Sequence, residues 1–336
     1  MNNTHKKLGI GIIGCGLIGG KRAASLGDFL HLVACSDLDS FRMNALADKY
    51  QAKAYRDWRD LIYDPNVDAV IIATLHDSLA SITLAALEAG KHVLVEKPSA
   101  RRSQELNESI LLAKAQNLKV RVGFNHRYHR ALQKAKALVD SGVLGELMFI
   151  RARYGHGARL GYEKEWRANP SLSGGGELID QGPHLIDLSR WFLGDFSKVT
   201  GVAQTYYWDM PVDDNGFMLL ETPGKKVAFL HASCTEWKNL FSMEIYGKNG
   251  KLDISGLGGS YGLEKLTYYK MLPEMGPPET ISWEYPMADN SWAVEMNEFF
   301  KDIQENRDPN PGLSDAQAAL EIVETIYKDS GYDHSS

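Results

Sequence analysis

The sequence predicts two folding units: a doubly wound α/β parallel sheet at the N-terminus and an α+β domain with a large, mostly antiparallel open sheet after it. Three observations carry this. Apolar strands and amphipathic helices alternate through the first third. A glycine-rich turn, Gly14-Cys15-Gly16-Leu17-Ile18-Gly19, follows the first strand. Beyond Gly145 the chain changes to a run of longer strands with short connections. The expected division is 1–125 and 126–336, in keeping with a length of 336 residues.

Taken in order, Leu8, Ile10, Ile12 and Ile13 suit a buried parallel strand. Gly14 permits the tight turn after it, Gly16 lets backbone approach a ligand, and Gly19 lets helix pack on strand. Leu17 and Ile18 open that helix, whose first N–H groups face any bound pyrophosphate. The next strand runs Leu30–Cys35, and Asp37 sits just past its end. A carboxylate there accepts hydrogen bonds from a ribose diol and repels a 2′-phosphate. The segment is a Rossmann dinucleotide fingerprint, and NAD is the expected cofactor. Arg42, with Ser36, is placed to pair with a 2′-phosphate, which is the competing NADP reading.

Residues 68–74 (DAVIIAT) read as a central strand and 81–89 as a helix stopped by Gly90. Residues 91–95 form the next strand, 103–117 a helix and 119–124 a further strand. Ala73 and Thr74 end the strand 68–74, and Leu75 and His76 follow them on the ligand-bearing sheet edge. Residues 130–140 are helical. Strands follow at 147–154, 199–208, 217–221, 226–235, 241–246, 251–254 and 263–269, with a hairpin turn at Thr222-Pro223-Gly224-Lys225. A helix over 178–193 interrupts them. The proline-rich stretch 272–286 reads as surface loop and edge, and helices at 293–305 and 314–328 close the chain.

Composition limits the partners. The net charge is −6 and there is no long basic tract, so nothing favours nucleic acid. No apolar segment is long enough to cross a membrane. Lys6-Lys7 before an apolar run loosely mimics a signal peptide, but that run is the first strand. Cys15, Cys35 and Cys234 fit no zinc pattern and act as small apolar residues, consistent with a cytoplasmic setting.

Four segments carry candidate chemistry. Lys97 follows directly on a parallel strand, at the carboxyl edge where α/β sheets bind ligands, with Glu96 placed to reach it or a nicotinamide. Alone, a solvated loop lysine is the plainer explanation. In 173–187 (SGGGELIDQGPHLID), Asp180 and His184 are four apart, on one helix face, the arrangement of a general base and the acid that orients it. A purely helix-stabilising pair fits equally well. A metal at Asp180, His184 and Asp187 has no supporting ligand cluster, so none is expected. Asn125, His126 and Arg127 sit where the last strand of the nucleotide half ends, in reach of nicotinamide or substrate. His129 reads as linker polarity. In 154–167, His156, Arg159, Tyr162, Trp166 and Arg167 suit a sugar ring or an anionic leaving group; a charged surface loop is the alternative.

Together, GCGLIG (14–19), Asp37, DAVIIAT (68–74), EAGKHVLVEKP (88–98), GFNHRY (123–128) and GGGELIDQGPHLID (174–187) resemble the Gfo/Idh/MocA oxidoreductases, which include inositol dehydrogenase and glucose-fructose oxidoreductase. The resemblance spans both domains in family order. It implies a catalytic trio of Lys97, Asp180 and His184. His184 would take the proton of a secondary hydroxyl while hydride passes to the nicotinamide. Lys97 would stabilise alkoxide charge, and Asp180 would orient the base. Lys97, Asp180 and His184 would also touch substrate. The chain departs from the common A-T-P-N-x-x-H pattern: Leu75 replaces the proline and Leu79 the histidine.

The leading expectation is an NAD-dependent dehydrogenase of a ring secondary alcohol in a sugar, sugar nucleotide or polyol, with UDP-N-acetylglucosamine oxidised at C3 as the specific guess. An NAD-recycling glycosidase would release aglycone without net NADH. A non-catalytic dinucleotide sensor has no need of the trio. A homodimer or homotetramer through the C-terminal sheet is expected.

Overall fold

The computed structural model describes residues 7–332, so Lys6 of the basic pair lies outside the described residues. The chain forms two compact units. The first comprises residues up to 124 together with 292–318, and the second 125–291 with 319 onward. Residues 292–318 thus join the nucleotide half, whereas the sequence reading placed them with the second domain.

In the first unit a six-stranded parallel sheet has the order β3-β2-β1-β4-β5-β6. The strands are β1 (Leu8–Ile13), β2 (Leu30–Ser36), β3 (Lys53–Tyr55), β4 (Ala69–Ile72), β5 (His92–Glu96) and β6 (Val120–Gly123). Every residue of β1 and β4 is buried, as expected for strands covered on both faces. The order reverses between β1 and β4, which opens the crevice at their carboxyl ends. The crossover helices are α1 (Leu17–Ala24), α2 (Ser40–Tyr50), α3 (Trp58–Ile62), α4 (His76–Glu88) and α5 (Asn107–Ala115). The sequence reading passed over α2, β3 and α3. Side-chain caps mark both missed helices: Asp39 accepts from Phe41 N and Asp57 from Arg59 N. It also started α4 five residues late, and α5 is preceded by a 3₁₀ turn at Ser103–Leu106.

Buried ion pairs fasten the returning segment to this unit. Arg22 on α1 is wholly buried and bonds Glu96 through Nε at 2.7 Å and Glu295 through Nη1 at 2.5 Å. The Trp292 ring lies 4.5 Å from its guanidinium. Arg121 bonds Asp302 through Nε at 2.8 Å. Met296, Phe299 and Phe300 join the apolar core around Ile10, Ile12 and Ile71.

The second unit is built on an eight-stranded sheet. After α6 (Arg130–Asp140), β7 (Leu147–Gly155) enters it. Then come α7 (Pro170–Ser173), α8 (Glu177–Asp180) and α9 (Gly182–Leu193). The remaining strands are β8 (Lys198–Gln204), β9 (Asn215–Glu221), β10 (Val227–Ser233), β11 (Leu240–Gly247), β12 (Gly250–Ser255), β13 (Glu264–Lys270) and β14 (Glu279–Tyr285). All neighbours are antiparallel except β7 and β10. Burial alternates strictly along β11, so one face carries the core and the other does not.

Three expectations change here. The strand expected over 199–208 stops at Gln204, because the Asp214 carboxylate draws the backbone N–H groups of Tyr206, Tyr207 and Trp208 out of the ladder. The stretch 272–286 is loop only as far as Pro278; β14 then pairs along β13 as an edge strand. The helix expected over 178–193 is two helices, α8 and α9, with a break at Gln181. Pro183 falls in the first turn of α9, where no intrahelical N–H bond is lost.

All three cysteines are buried and none is in a disulfide. Among the described residues no helix is long and apolar enough to cross a membrane. α10 (Ser291–Gln304) and α11 (Leu313–Ser330) end the described chain.

Candidate active site

In the first unit the glycine turn divides its labour by position. Gly14 has φ +95°, and a Cβ there would lie 2.4 Å from Ala73 O. A Cβ on Gly19 would lie 1.9 Å from Gly14 O, so only glycine lets α1 pack on the turn. At Gly16 the nearest atom to such a Cβ is Arg42 Nη1, at 3.9 Å. That position is open on the side a pyrophosphate would take, and Gly16 starts α1 with no side-chain cap on its N–H groups. Leu17 is exposed and Ile18 half-buried.

Asp37 lies just past β2. Its Oδ2 accepts from Cys15 N at 2.5 Å and its Oδ1 from Asp39 N at 2.8 Å, so the carboxylate is tied to the turn itself. Arg42 is exposed, with Nε 3.3 Å from Asp39. These residues fit a dinucleotide: an open glycine cradle, a helix start and a carboxylate at the end of β2. Ala73, Thr74, Leu75 and His76 form the link from β4 into α4. Ser78 Oγ donates to Thr74 Oγ1 at 2.9 Å. Glu96, expected to reach the lysine or the nicotinamide, instead gives its carboxylate to Arg22. Lys97 is half-buried at the carboxyl end of β5.

In the second unit several segments converge. Asp180 ends α8, and its Oδ2 accepts from Arg167 Nε at 2.8 Å. Asp180 holds the Arg167 guanidinium above its ordinary pKa. His184 lies in the first turn of α9, so Asp180 and His184 do not share the face of one continuous helix as expected. α8 is one turn, its start held by Asp213, whose carboxylate accepts from Gly176 N at 2.9 Å, Leu178 N at 2.7 Å and Tyr327 Oη at 2.6 Å; the break at Gln181 lies just before Gly182-Pro183, and a proline disfavours helix in the residue ahead of it. His184 is buried and stacks on His126.

His156 accepts from Ala158 N through Nδ1 at 3.0 Å and places Nε2 3.5 Å from Glu177. Burial pulls its pKa down, but the Glu177 carboxylate, with Asp180, offsets this and the net shift is upward. Tyr162 packs edge-on to His156, and burial pushes its phenol up. Tyr154 and Tyr261 lie 5.0 Å apart, and burial raises both phenols. The Trp166 ring lies 4.6 Å from the Arg167 guanidinium.

Two expected substrate arginines are otherwise engaged. Arg127 is buried and makes a two-pronged pair with Asp187, Nε to Oδ2 at 2.8 Å and Nη2 to Oδ1 at 2.6 Å. Arg159 is exposed and pairs with Glu165 at 2.7 Å. Asn125 bonds Ser291 and His126 within the second unit. Among the described residues no group of three or more His, Cys, Asp or Glu side chains is arranged to hold a metal ion. Sequence reasoning missed Glu177, Asp213 and Tyr261. Glu177 stands three residues before Asp180, a spacing that could have flagged it; Asp213 and Tyr261 come from remote loops with no local signal.

A doubly wound sheet with this turn and acid defines a dinucleotide-binding fold. Residues 8–124 match the oxidoreductase family with an NAD-binding Rossmann fold, and residues 132–253 match the GFO/IDH/MocA C-terminal domain. The chain belongs to the GFO/IDH/MocA oxidoreductase family. It is 36% identical over 168 residues to levoglucosan dehydrogenase of Pseudarthrobacter phenanthrenivorans, covering 49% of this chain and 43% of that protein. It is 31% identical over 199 residues to inositol 2-dehydrogenase of Salmonella typhimurium, covering 57% and 56%. The matches therefore span about half the length of these relatives. A solved structure of levoglucosan dehydrogenase with NADH and levoglucosan superposes with a TM-score of 0.87 at 23% identity, over 97% of this chain and 98% of that one, which shows the shared fold.

Proposed function

We propose that this protein is an NAD-dependent dehydrogenase acting on a ring secondary alcohol of a sugar or polyol. The observation that carries this is the buried His184 imidazole at the start of α9, across a short break from the buried Asp180 carboxylate, in a chain with an NAD-binding Rossmann unit. Gly14, Gly16, Gly19 and Asp37 hold the dinucleotide, which when bound supplies the acceptor for the carbinol hydrogen and its electrons. His184 accepts the hydroxyl proton. Lys97 donates to the same oxygen and stabilises the negative charge that develops there. Asp180, four residues before the base, is fixed in place by its pairing with Arg167.

The engagement of the arginines bears on substrate. Arg159 and Arg167 suggested an anionic leaving group, but each already faces a carboxylate. This favours an uncharged ring over a UDP-linked sugar. His156, Tyr162 and Trp166 supply the polar and aromatic contacts such a ring uses. The relatives named for levoglucosan and inositol point the same way.

The assembly is proposed to be a dimer or tetramer. The outward face of the second sheet exposes Val202, Leu219 and Phe229, with Leu219 directly opposite Phe229 across the ladder. A second copy covering that face would bury them.

The test is nicotinamide absorbance with a panel of anhydrosugars, inositols, free sugars and sugar nucleotides. Wild type should turn over one uncharged class, and Lys97→Ala and His184→Ala should each lose at least about 100-fold in kcat/KM. Turnover of sugar nucleotides alone overturns the substrate reading. Tight NAD binding without turnover of any member overturns the dehydrogenase.

A further inference from the structure

Two imidazoles lie face to face in the second unit. His126, on the 3₁₀ turn Asn125–Tyr128, and His184 have ring centroids 3.7 Å apart and planes inclined by 24°. Both side chains are buried. Asn125 fixes the protonation of the first ring. Its Nδ2 donates to Ser291 Oγ at 3.1 Å, which turns its Oδ1 toward His126 Nδ1 at 3.2 Å. Nδ1 of His126 therefore carries a hydrogen, and a second proton on that ring goes to Nε2.

We propose that His126 is a positioning residue for the base: the stacked rings carry one added proton between them, so His126 sets the pH at which His184 is neutral and able to accept. This rests on His184 being the base. Two imidazolium cations at stacking distance in a buried site repel strongly, because little water screens them. A phenyl ring at 126 would stack equally well, so only a titratable ring brings this competition.

The surrounding charges do not remove it. Arg127, on the same turn, is neutralised by Asp187 of α9. His129, before α6, is edge-on to His126 at 5.7 Å and lies 3.2 Å from Glu264 of β13 and 3.8 Å from Asp289. From α8, Asp180 faces Arg167 and Glu177 faces His156. Tyr154 of β7 is edge-on to both rings, at 4.9 Å from His126 and 5.9 Å from His184, and its phenol is held neutral by burial. Phe241 of β11 closes the His126 side with an uncharged ring. Each of these acids has a cationic or imidazole partner within the second unit, and the two stacked rings compete for the same proton.

The experiment is an NMR titration of the full chain saturated with NAD, with histidine imidazoles isotopically labelled. In wild type the His126 and His184 resonances should each sense two steps, separated by more than about one pH unit. Independent single midpoints for the two rings overturn the proposal. In His126→Phe, or His126→Gln if the first variant does not fold, the His184 midpoint should rise by about one pH unit, and the acid limb of kcat/KM should move with it. An unchanged His184 midpoint overturns the proposal. Full activity of His184→Ala would instead overturn the base assignment, leaving the coupled titration of the two rings to be read on its own.

Discussion

The dinucleotide turn of the first unit is made of backbone: Gly14, Gly16 and Gly19 each matter through the Cβ they lack. The acid–base segment of the second unit is made of side chains, with Asp180, Arg167, His184, His126 and Glu177 arriving from four stretches of chain. The difference lies in how charge is managed. A backbone cradle presents partial charges that need no partner until a ligand arrives. A buried cluster of full charges must be neutralised within the protein, and here it is, pair by pair. The first design leaves room; the second fixes positions.

The largest effect should come from breaking a pair. Asp187→Ala leaves the Arg127 guanidinium buried without its two-pronged acceptor, and unfolding by denaturant should show a loss of about 3–5 kcal/mol. A change under 1 kcal/mol would mean the pair is dispensable and the contrast with the first unit is false.

Next is Asp213. Burial pushes its carboxyl up to about 6, against the hydrogen bonds from Tyr327, Leu178 and Gly176. An acid whose folded pKa is raised contributes stability that is full below its unfolded value and is lost as pH rises through the folded value. Wild-type stability relative to Asp213→Asn should therefore fall between about pH 4 and pH 6, by on the order of 2–3 kcal/mol. A flat difference across that window contradicts the shift.

The smallest effects sharpen the contrast within one turn. Gly19→Ala should cost about 1–3 kcal/mol, because its Cβ meets Gly14 O. Gly16→Ala should change stability by less than about 0.5 kcal/mol, as for a site with room, yet weaken NAD binding in calorimetry by about tenfold or more, a loss of roughly 1.4 kcal/mol. Equal effects of the two variants on stability would show that both glycines serve packing alone.

The same contrast explains what was legible in the sequence. The turn glycines and Asp37 lie within one βαβ segment, where spacing in sequence is spacing in space, so their roles could be read directly. The parallel sheet and the change to antiparallel strands were equally local patterns. What could not be read depended on remote partners. Arg127 looked available for substrate because Asp187 lies 60 residues on. Glu96 looked available because Arg22 lies 74 residues back. The end of β8 depends on Asp214. Arg127 and Glu96 were each claimed by a charged partner distant in sequence, and β8 was cut short by a carboxylate in the loop that follows it.

The pairing of Arg22 with Glu295 bears on how the chain is made. During synthesis the strands of the parallel sheet emerge first, but one acceptor of the α1 guanidinium is 273 residues further along. Until that stretch leaves the ribosome, the nucleotide-binding half lacks Glu295 and the apolar cover of Met296, Phe299 and Phe300. A gene fragment cut at residue 125 would reproduce this unfinished state permanently, so the cofactor-binding half is not a module that can be excised at its apparent boundary.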